Sequence, residues 1–195
     1  MLFFSRPAII FDNAYLMLSK GIHVVIGTTG LTETQRNELD AIGRAHGANC
    51  LVAPNFSLGA VMMMKTAAEL APYFPDVEII ELHHNHKYDA PSGTAVLTAK
   101  LINDAKQAAN VKAAEDLTRE SLPGARGAKV DDVTIHSVRL PGYVAHQEVI
   151  FGGYDETLVI RHDSLSRLSF MPGVVLACKK IKDFAGLTYG LEHYL

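Results

Sequence analysis

Glu81-Leu82-His83-His84-Asn85-His86-Lys87-Tyr88-Asp89-Ala90-Pro91-Ser92-Gly93-Thr94-Ala95 is the stretch on which the reading of this chain turns. Val77 to Leu82 predicts a strand that delivers three imidazoles and an ammonium within five positions. Imidazole is the side chain that gains and loses a proton near neutral pH. A proline then turns the chain, and Ser92-Gly93-Thr94 opens a helix of about three turns, continued by Leu97, Leu101 and Ala105. Free N–H groups at a helix start attract anions, and Gly93 lets a ligand approach the backbone closely. Proton donors at a strand end beside such a helix suit a small carboxylated molecule.

Spacing selects residues within the cluster. His83 and Lys87 lie four apart and share a face whether the segment is extended or helical. Lysine beside imidazole keeps a positive field there and favours an anionic ligand. A metal site is the rival reading. In an extended segment, however, His84 and His86 share one face while His83 takes the other. No HExxH or CxxC accompanies them, and no cysteine lies nearby, so no metal is expected.

Upstream, the chain alternates strand and helix. Ile10 to Ser19 predicts a helix stopped at Gly21. His23 to Ile26 predicts a short buried parallel strand ending in Gly27-Thr28-Thr29-Gly30. Thr32 and Gln35 form a capping box for a helix reaching about His46, and Cys50 to Ala53 predicts a strand ended by Pro54. This is the α/β pattern of a doubly wound sheet, in which ligands gather at the carboxyl ends of strands. Leu58 to Tyr73 predicts a helix whose Met62, Met63 and Met64 fill core space. Val133 to Leu140, Ala145 to Phe151 and Thr157 to His162 predict strands that join Val77–Leu82 in a mixed, mainly antiparallel sheet. Val174 to Phe184 predicts the last helix.

These residues carry a family resemblance. His83-His84-Asn85-His86-Lys87 followed by Asp89-Ala90-Pro91-Ser92-Gly93-Thr94-Ala95 resembles the signature of the 4-hydroxy-tetrahydrodipicolinate (dihydrodipicolinate) reductases of the diaminopimelate route to lysine. Gly21 to Gly30 and Ala53-Pro54-Asn55-Phe56-Ser57 agree in order and spacing, so the resemblance runs from about Ser5 to the C-terminus. It implies that His83 is the general acid/base and that Lys87 is a proton donor and electrostatic anchor. It further implies that His84 contacts substrate and that Ser92, Gly93 and Thr94 hold a substrate carboxylate. Gly27, Thr28 and Thr29, with Ala53, Pro54, Asn55 and Phe56, match the two loops around the nicotinamide end of NADH or NADPH. A cytoplasmic homotetramer built through the substrate-domain sheets is the implied assembly, with a dicarboxylate substrate. Ser121 departs from the family by replacing a glycine in Arg119-Glu120-Ser-Leu-Pro-Gly-Ala-Arg126.

Composition excludes other classes. A net charge of −3 gives no footprint for nucleic acid or an anionic membrane, and no apolar run reaches spanning length. Two cysteines, Cys50 and Cys178, indicate no disulfide framework. The beginning of the chain is anomalous for a dinucleotide binder. No GxGxxG or GxxGxxG occurs anywhere in the 195 residues, and Leu2-Phe3-Phe4-Ser5-Arg6-Pro7 resembles the end of a later strand, with Phe3 where the family has Asp. The expected organisation is therefore the C-terminal part of a dinucleotide domain (1–54), a substrate and oligomerisation domain (55–171), and a returning helix and tail (172–195). The expected activity is that of an N-terminally short reductase. The alternative is a catalytically weak binding or assembly module.

Overall fold

The computed structural model describes residues 1–4 and 6–195, arranged as two compact units. One comprises Met1–Val61 with Leu168–Leu195, the other Met62–Arg167. The sequence division was drawn at 54/55 and 171/172. No helix among the described residues is long and apolar enough to cross a membrane.

The first unit is built on a parallel sheet. Its strands β1 (Leu2–Phe3), β2 (Val24–Ile26), β3 (Cys50–Val52) and β9 (Leu187–Tyr189) lie in the order β1-β2-β3-β9. All three residues of β2 and of β3 are buried, as short apolar strands of a parallel sheet covered on both faces require. Helix α1 (Pro7–Leu18) packs on α2 (Glu33–Ala45), and Ile10, Ala14, Leu18 and Leu39 meet the strands in one core. The expected capping box is present: Thr32 accepts from Gln35 N at 3.2 Å, and the Gln35 side chain accepts from Thr32 N at 2.9 Å. Strand β9 went unread in the sequence because Leu-Thr-Tyr lacks the continuous apolar run that marks β2 and β3. Helix α5 spans Met171–Lys180; it starts earlier than expected because Pro172 sits in its first turn, where no N–H is needed, and it also ends earlier.

The second unit is a five-stranded mixed sheet in the order β5-β6-β4-β7-β8. Strands β4 (Asp76–His83) and β6 (Val133–Arg139) are parallel. The pairings of β7 (Ala145–Gly153) with β4 and β8 (Glu156–Ser164), and of β5 (Ala128–Val130) with β6, are antiparallel. Helix α3 (Leu58–Leu70) leads into the unit, and α4 (Gly93–Ala108) packs on β4, β5 and β6. Val77, Ile79, Val133, Ile135, Val149 and Phe151 form the buried face, whereas Glu78, Ile80, Glu148 and Arg161 lie on a more accessible one.

Several expectations change. Strand β4 ends at His83, and His84–Lys87 is a turn in which Lys87 N donates to the His84 carbonyl at 3.2 Å. Strand alternation therefore does not extend to His84 and His86. Helix α4 does not bury the Leu97-Leu101-Ala105 stripe deepest; Ala95, Thr98, Ala99, Ile102, Asn103 and Lys106 are buried instead. Small residues let the helix sit close to the sheet, while the buried polar ones reach partners: Asn103 donates to the Val130 carbonyl and Lys106 to that of Pro75. Met63 and Met64 are core, but Met62 is exposed. Among the described residues, β1 and β9 are the two edge strands of the parallel sheet, and β2 is paired on both sides. Of the stretch Leu2 to Pro7, Ser5 lies outside the described residues. Ser121 is exposed and does not occupy the left-handed region, so its backbone requires no glycine.

Candidate active site

The site in the second unit begins with the pleat of β4. Glu81 and His83 are two apart and so share the buried face, at the carboxyl end of the strand. The Glu81 side chain is fully buried, an exceptional position for a carboxylate unless it is paired. Its Oε2 lies 2.5 Å from His83 Nδ1 and accepts from Arg139 Nη1 at 2.8 Å. Its Oε1 accepts from Arg139 Nη2 at 2.6 Å and from the backbone N–H of Ser92 at 3.2 Å. Parallel pairing makes this possible: Ser137 lies beside Glu81 and Arg139 beside His83 in the register of β4 and β6. Burial alone would raise the Glu81 pKa. The hydrogen bonds from His83, Arg139 and Ser137, with the guanidinium charge, outweigh it and hold the carboxyl at about 2.

The turn after His83 brings the second part of the site together. Lys87 Nζ lies 2.5 Å from Asp89 Oδ1, and the other Asp89 oxygen accepts from Gly93 N at 3.2 Å. One carboxylate is thus held by the ammonium and the helix-start N–H together. The hydrogen bond from Lys87, outweighing partial burial, lowers the Asp89 pKa. Ser92 is the N-cap of α4, its hydroxyl accepting from Ala95 N at 3.2 Å. Thr94 is tied inward through its carbonyl, which accepts from Thr98 Oγ1 at 2.8 Å; Thr98 Oγ1 in turn accepts from Gln147 Nε2 at 2.9 Å. The His84 and His86 rings lie 6.3 Å apart. Among the described residues, no group of three or more His, Cys, Asp or Glu side chains is placed to hold a metal.

The first unit holds the other candidate residues. Gly27 and Ala53 follow directly on β2 and β3, at their carboxyl ends, where parallel sheets offer ligand crevices. Gly27 N donates to the Phe3 carbonyl at 2.8 Å and Ala53 N to that of Ile26 at 2.9 Å, so both loops leave the sheet in register. Thr28 is buried and Thr29 exposed. Pro54 and Asn55 are half-buried, and Asn55 Oδ1 accepts from Ser57 N at 2.8 Å. Phe56 is buried and meets the ring of Phe4 edge-on at 5.6 Å. Two glycines are needed for close approach here. A Cβ on Gly27 would strike the Phe4 ring, and one on Gly173 would strike the Phe56 carbonyl.

Sequence reasoning named His83, His84, Lys87, Ser92, Gly93 and Thr94 but missed Glu81, Asp89 and Arg139 as site residues. The signal for Glu81 was present. A charged residue at the inward position of an otherwise apolar strand, two before a histidine, needs a buried partner. Arg139 carried no such mark, since its role depends on which strand lies next to β4.

The depressed Glu81 pKa has a sign that can be checked. Its ionised form is favoured in the folded chain, so its contribution to stability is full above the ordinary carboxyl pKa of 4.5 and declines as pH falls toward 2. Urea unfolding of the wild type and Glu81→Gln across this range should show a stability gap that is widest above pH 4.5 and narrows in acid. A gap independent of pH would mean that the carboxylate charge contributes nothing.

Known proteins resemble this chain over nearly its whole length. Residues 1–56 match the family model described as dihydrodipicolinate reductase, N-terminus, and residues 59–195 match dihydrodipicolinate reductase, C-terminus. The chain is 51% identical over 193 residues to the 4-hydroxy-tetrahydrodipicolinate reductase of Mycolicibacterium vanbaalenii, covering 98% of this chain and 78% of that one. It is 52% identical over 192 residues to the enzyme of the same name from Streptomyces coelicolor, covering 98% and 77%. Among solved structures, a dipicolinate-bound dihydrodipicolinate reductase from Paenisporosarcina sp. TG-14 superposes with a TM-score of 0.90 at 45% identity, over 100% of this chain and 72% of that one. Matched in both its halves, the chain belongs to the dihydrodipicolinate reductase family.

Proposed function

We propose that this chain reduces 4-hydroxy-tetrahydrodipicolinate to tetrahydrodipicolinate with NADH or NADPH, in the diaminopimelate route to lysine. The observation that carries the reading is the convergence of Lys87 Nζ and Gly93 N–H on a single carboxylate, that of Asp89. A cyclic dicarboxylate presents the same group. Replacing Asp89 with a substrate carboxylate keeps both donors satisfied, and Ser92 and Thr94 flank that position. His84, at the start of the turn, contacts the substrate.

The reaction removes water from the hydroxylated ring, then adds a hydride and a proton. The nicotinamide, when bound, supplies the hydride. His83 handles the proton, and Lys87 holds the anion and supports proton delivery. Gly27–Thr29 and Ala53–Phe56 fit the nicotinamide half of the cofactor: they lie at adjacent strand ends, and Gly27 leaves no room there for a side chain. The pyrophosphate half has no counterpart, because the chain contains no glycine-rich strand–turn–helix. The accessible sheet face bearing Ile80, Glu148, Val159 and Arg161 supports a homotetramer joined through these sheets. Light scattering at micromolar concentration tests that assembly, and a clean monomer would count against it.

Three measurements test the activity. His83→Gln or Lys87→Ala should lower turnover by about two to four orders of magnitude, the scale of acid–base catalysis. Near wild-type rates in either variant would remove it from the proposed chemistry.

At Gly93 an added Cβ meets nothing of the protein within 4 Å, so a side chain there projects into open space beside the N–H. Gly93→Val should therefore weaken binding of pyridine-2,6-dicarboxylate at least tenfold, about 1.4 kcal/mol, with little loss of stability. Unchanged affinity by calorimetry would refute the carboxylate cradle.

Calorimetry with NADH and NADPH on the 195-residue chain should show weak binding. Each missing charge-assisted hydrogen bond to phosphate is worth roughly 1.5–3 kcal/mol, so several together weaken affinity by at least two orders. Tight binding of either dinucleotide would mean that other residues hold the phosphates.

A further inference from the structure

His83 does not stand alone at the end of β4. Its Nδ1 is 2.5 Å from Glu81 Oε2, and that carboxylate is in turn held by both terminal nitrogens of Arg139. We infer that Glu81, neutralised by Arg139, is a positioning residue that fixes the Nδ1–H tautomer of His83, so that proton exchange with substrate runs through Nε2 alone. The inference rests on the reading of His83 as the proton-transferring group.

The chemistry follows from donor and acceptor roles. An ionised carboxylate can only accept hydrogen bonds. The hydrogen between His83 Nδ1 and Glu81 Oε2 therefore belongs to nitrogen, whether the ring is neutral or charged. The nitrogen whose protonation changes is Nε2. Holding one tautomer and one ring orientation is what a carboxylate behind a catalytic imidazole contributes.

Arg139 keeps the carboxylate behind the ring ionised. Burial opposes the Glu81 charge, and the guanidinium favours it. Arg139 offsets that charge with bonds of 2.8 and 2.6 Å to the two carboxylate oxygens. The cluster is rigid because its members are tied elsewhere. Glu81 Oε1 also accepts from Ser92 N at 3.2 Å, and Arg139 Nη2 also donates to the Asp89 carbonyl at 2.8 Å. One carboxylate thus sets the imidazole and the start of the carboxylate-binding helix in a single frame.

Every packed element contributes to the field at His83. Its own strand supplies Glu81, β6 supplies Arg139 at the paired position, and β7 places uncharged Ala145 there. The following turn supplies Lys87, itself paired with Asp89, and α4 presents its N-terminal N–H groups.

Imidazole nitrogen-15 NMR of the full chain tests the inference without requiring turnover, with His83→Gln assigning the resonances. Expected in the wild type is a neutral His83 ring with its proton on Nδ1 and none on Nε2. Glu81→Gln, whose amide can donate as well as accept, should release that lock and give a mixture of Nδ1–H and Nε2–H forms. Arg139→Lys, which keeps the charge beside Glu81, should leave the Nδ1–H form in place. A purely structural role predicts the wild-type tautomer in every folded variant. An Nε2–H tautomer in the wild type overturns the inference even if a variant fails to fold, as does an unmixed Nδ1–H form in Glu81→Gln. Wild-type turnover in His83→Gln would instead sink the role of His83 while leaving the tautomer result intact.

Discussion

The second unit is organised around a buried negative charge. Removing a carboxylate from water costs several kcal/mol, and only good geometry with saturated hydrogen bonding offsets it. Glu81 meets that requirement through Arg139, His83, Ser137 and the Ser92 N–H. These partners come from β4, from the neighbouring parallel strand and from the start of α4. The demand of one charge for partners therefore fixes where the strand end, the crossover helix and β6 stand. A buried ion pair of this kind contributes little net stability against an apolar substitute. Its value here lies in geometry.

The same logic explains why the helix start is usable. A helix N-terminus exposes N–H groups that something must satisfy. Ser92 satisfies Ala95 N, Glu81 satisfies Ser92 N, and Asp89 occupies Gly93 N. The first two partners are buried. The Asp89 side chain is exposed and bonded at the surface to Lys87 and Gly93, so in the proposed function its carboxylate is the group that an incoming one replaces. Rigid support behind and an exchangeable anion in front is an arrangement suited to binding a charged substrate at low reorganisation cost.

The first unit obeys a different constraint, close approach. Its parallel strands are only two or three residues long, so the loops at their ends are held by packing rather than by long hydrogen-bonded ladders. Gly27 admits the Phe4 ring and Gly173 admits the Phe56 carbonyl. The phenylalanine pair and these two glycines shape the loops after β2 and β3.

Much of the fold and site was legible in the sequence because it rests on local signals. The capping box at Thr32 and Gln35, the apolar runs at Val24–Ile26 and Cys50–Val52, and the Ser92 cap before α4 are written in neighbouring residues. The histidine-lysine run and the Ser-Gly-Thr helix start were likewise contiguous, so the proposed acid and the anion cradle could be named together. Strands β5 and β9 were not legible, since Ala-Lys-Val and Leu-Thr-Tyr lack the continuous apolar run that marks β2 and β3. The stripe of α4 that is buried was misjudged because close packing on the sheet selects small and partnered polar residues over leucines. Arg139 illustrates the limit most clearly. Its sequence neighbourhood is ordinary, and 58 residues separate it from Glu81. Residue types and local spacing determined the chemistry available to this chain, but which charge meets which was decided by strand pairing, because only the sheet register brings Arg139 beside His83.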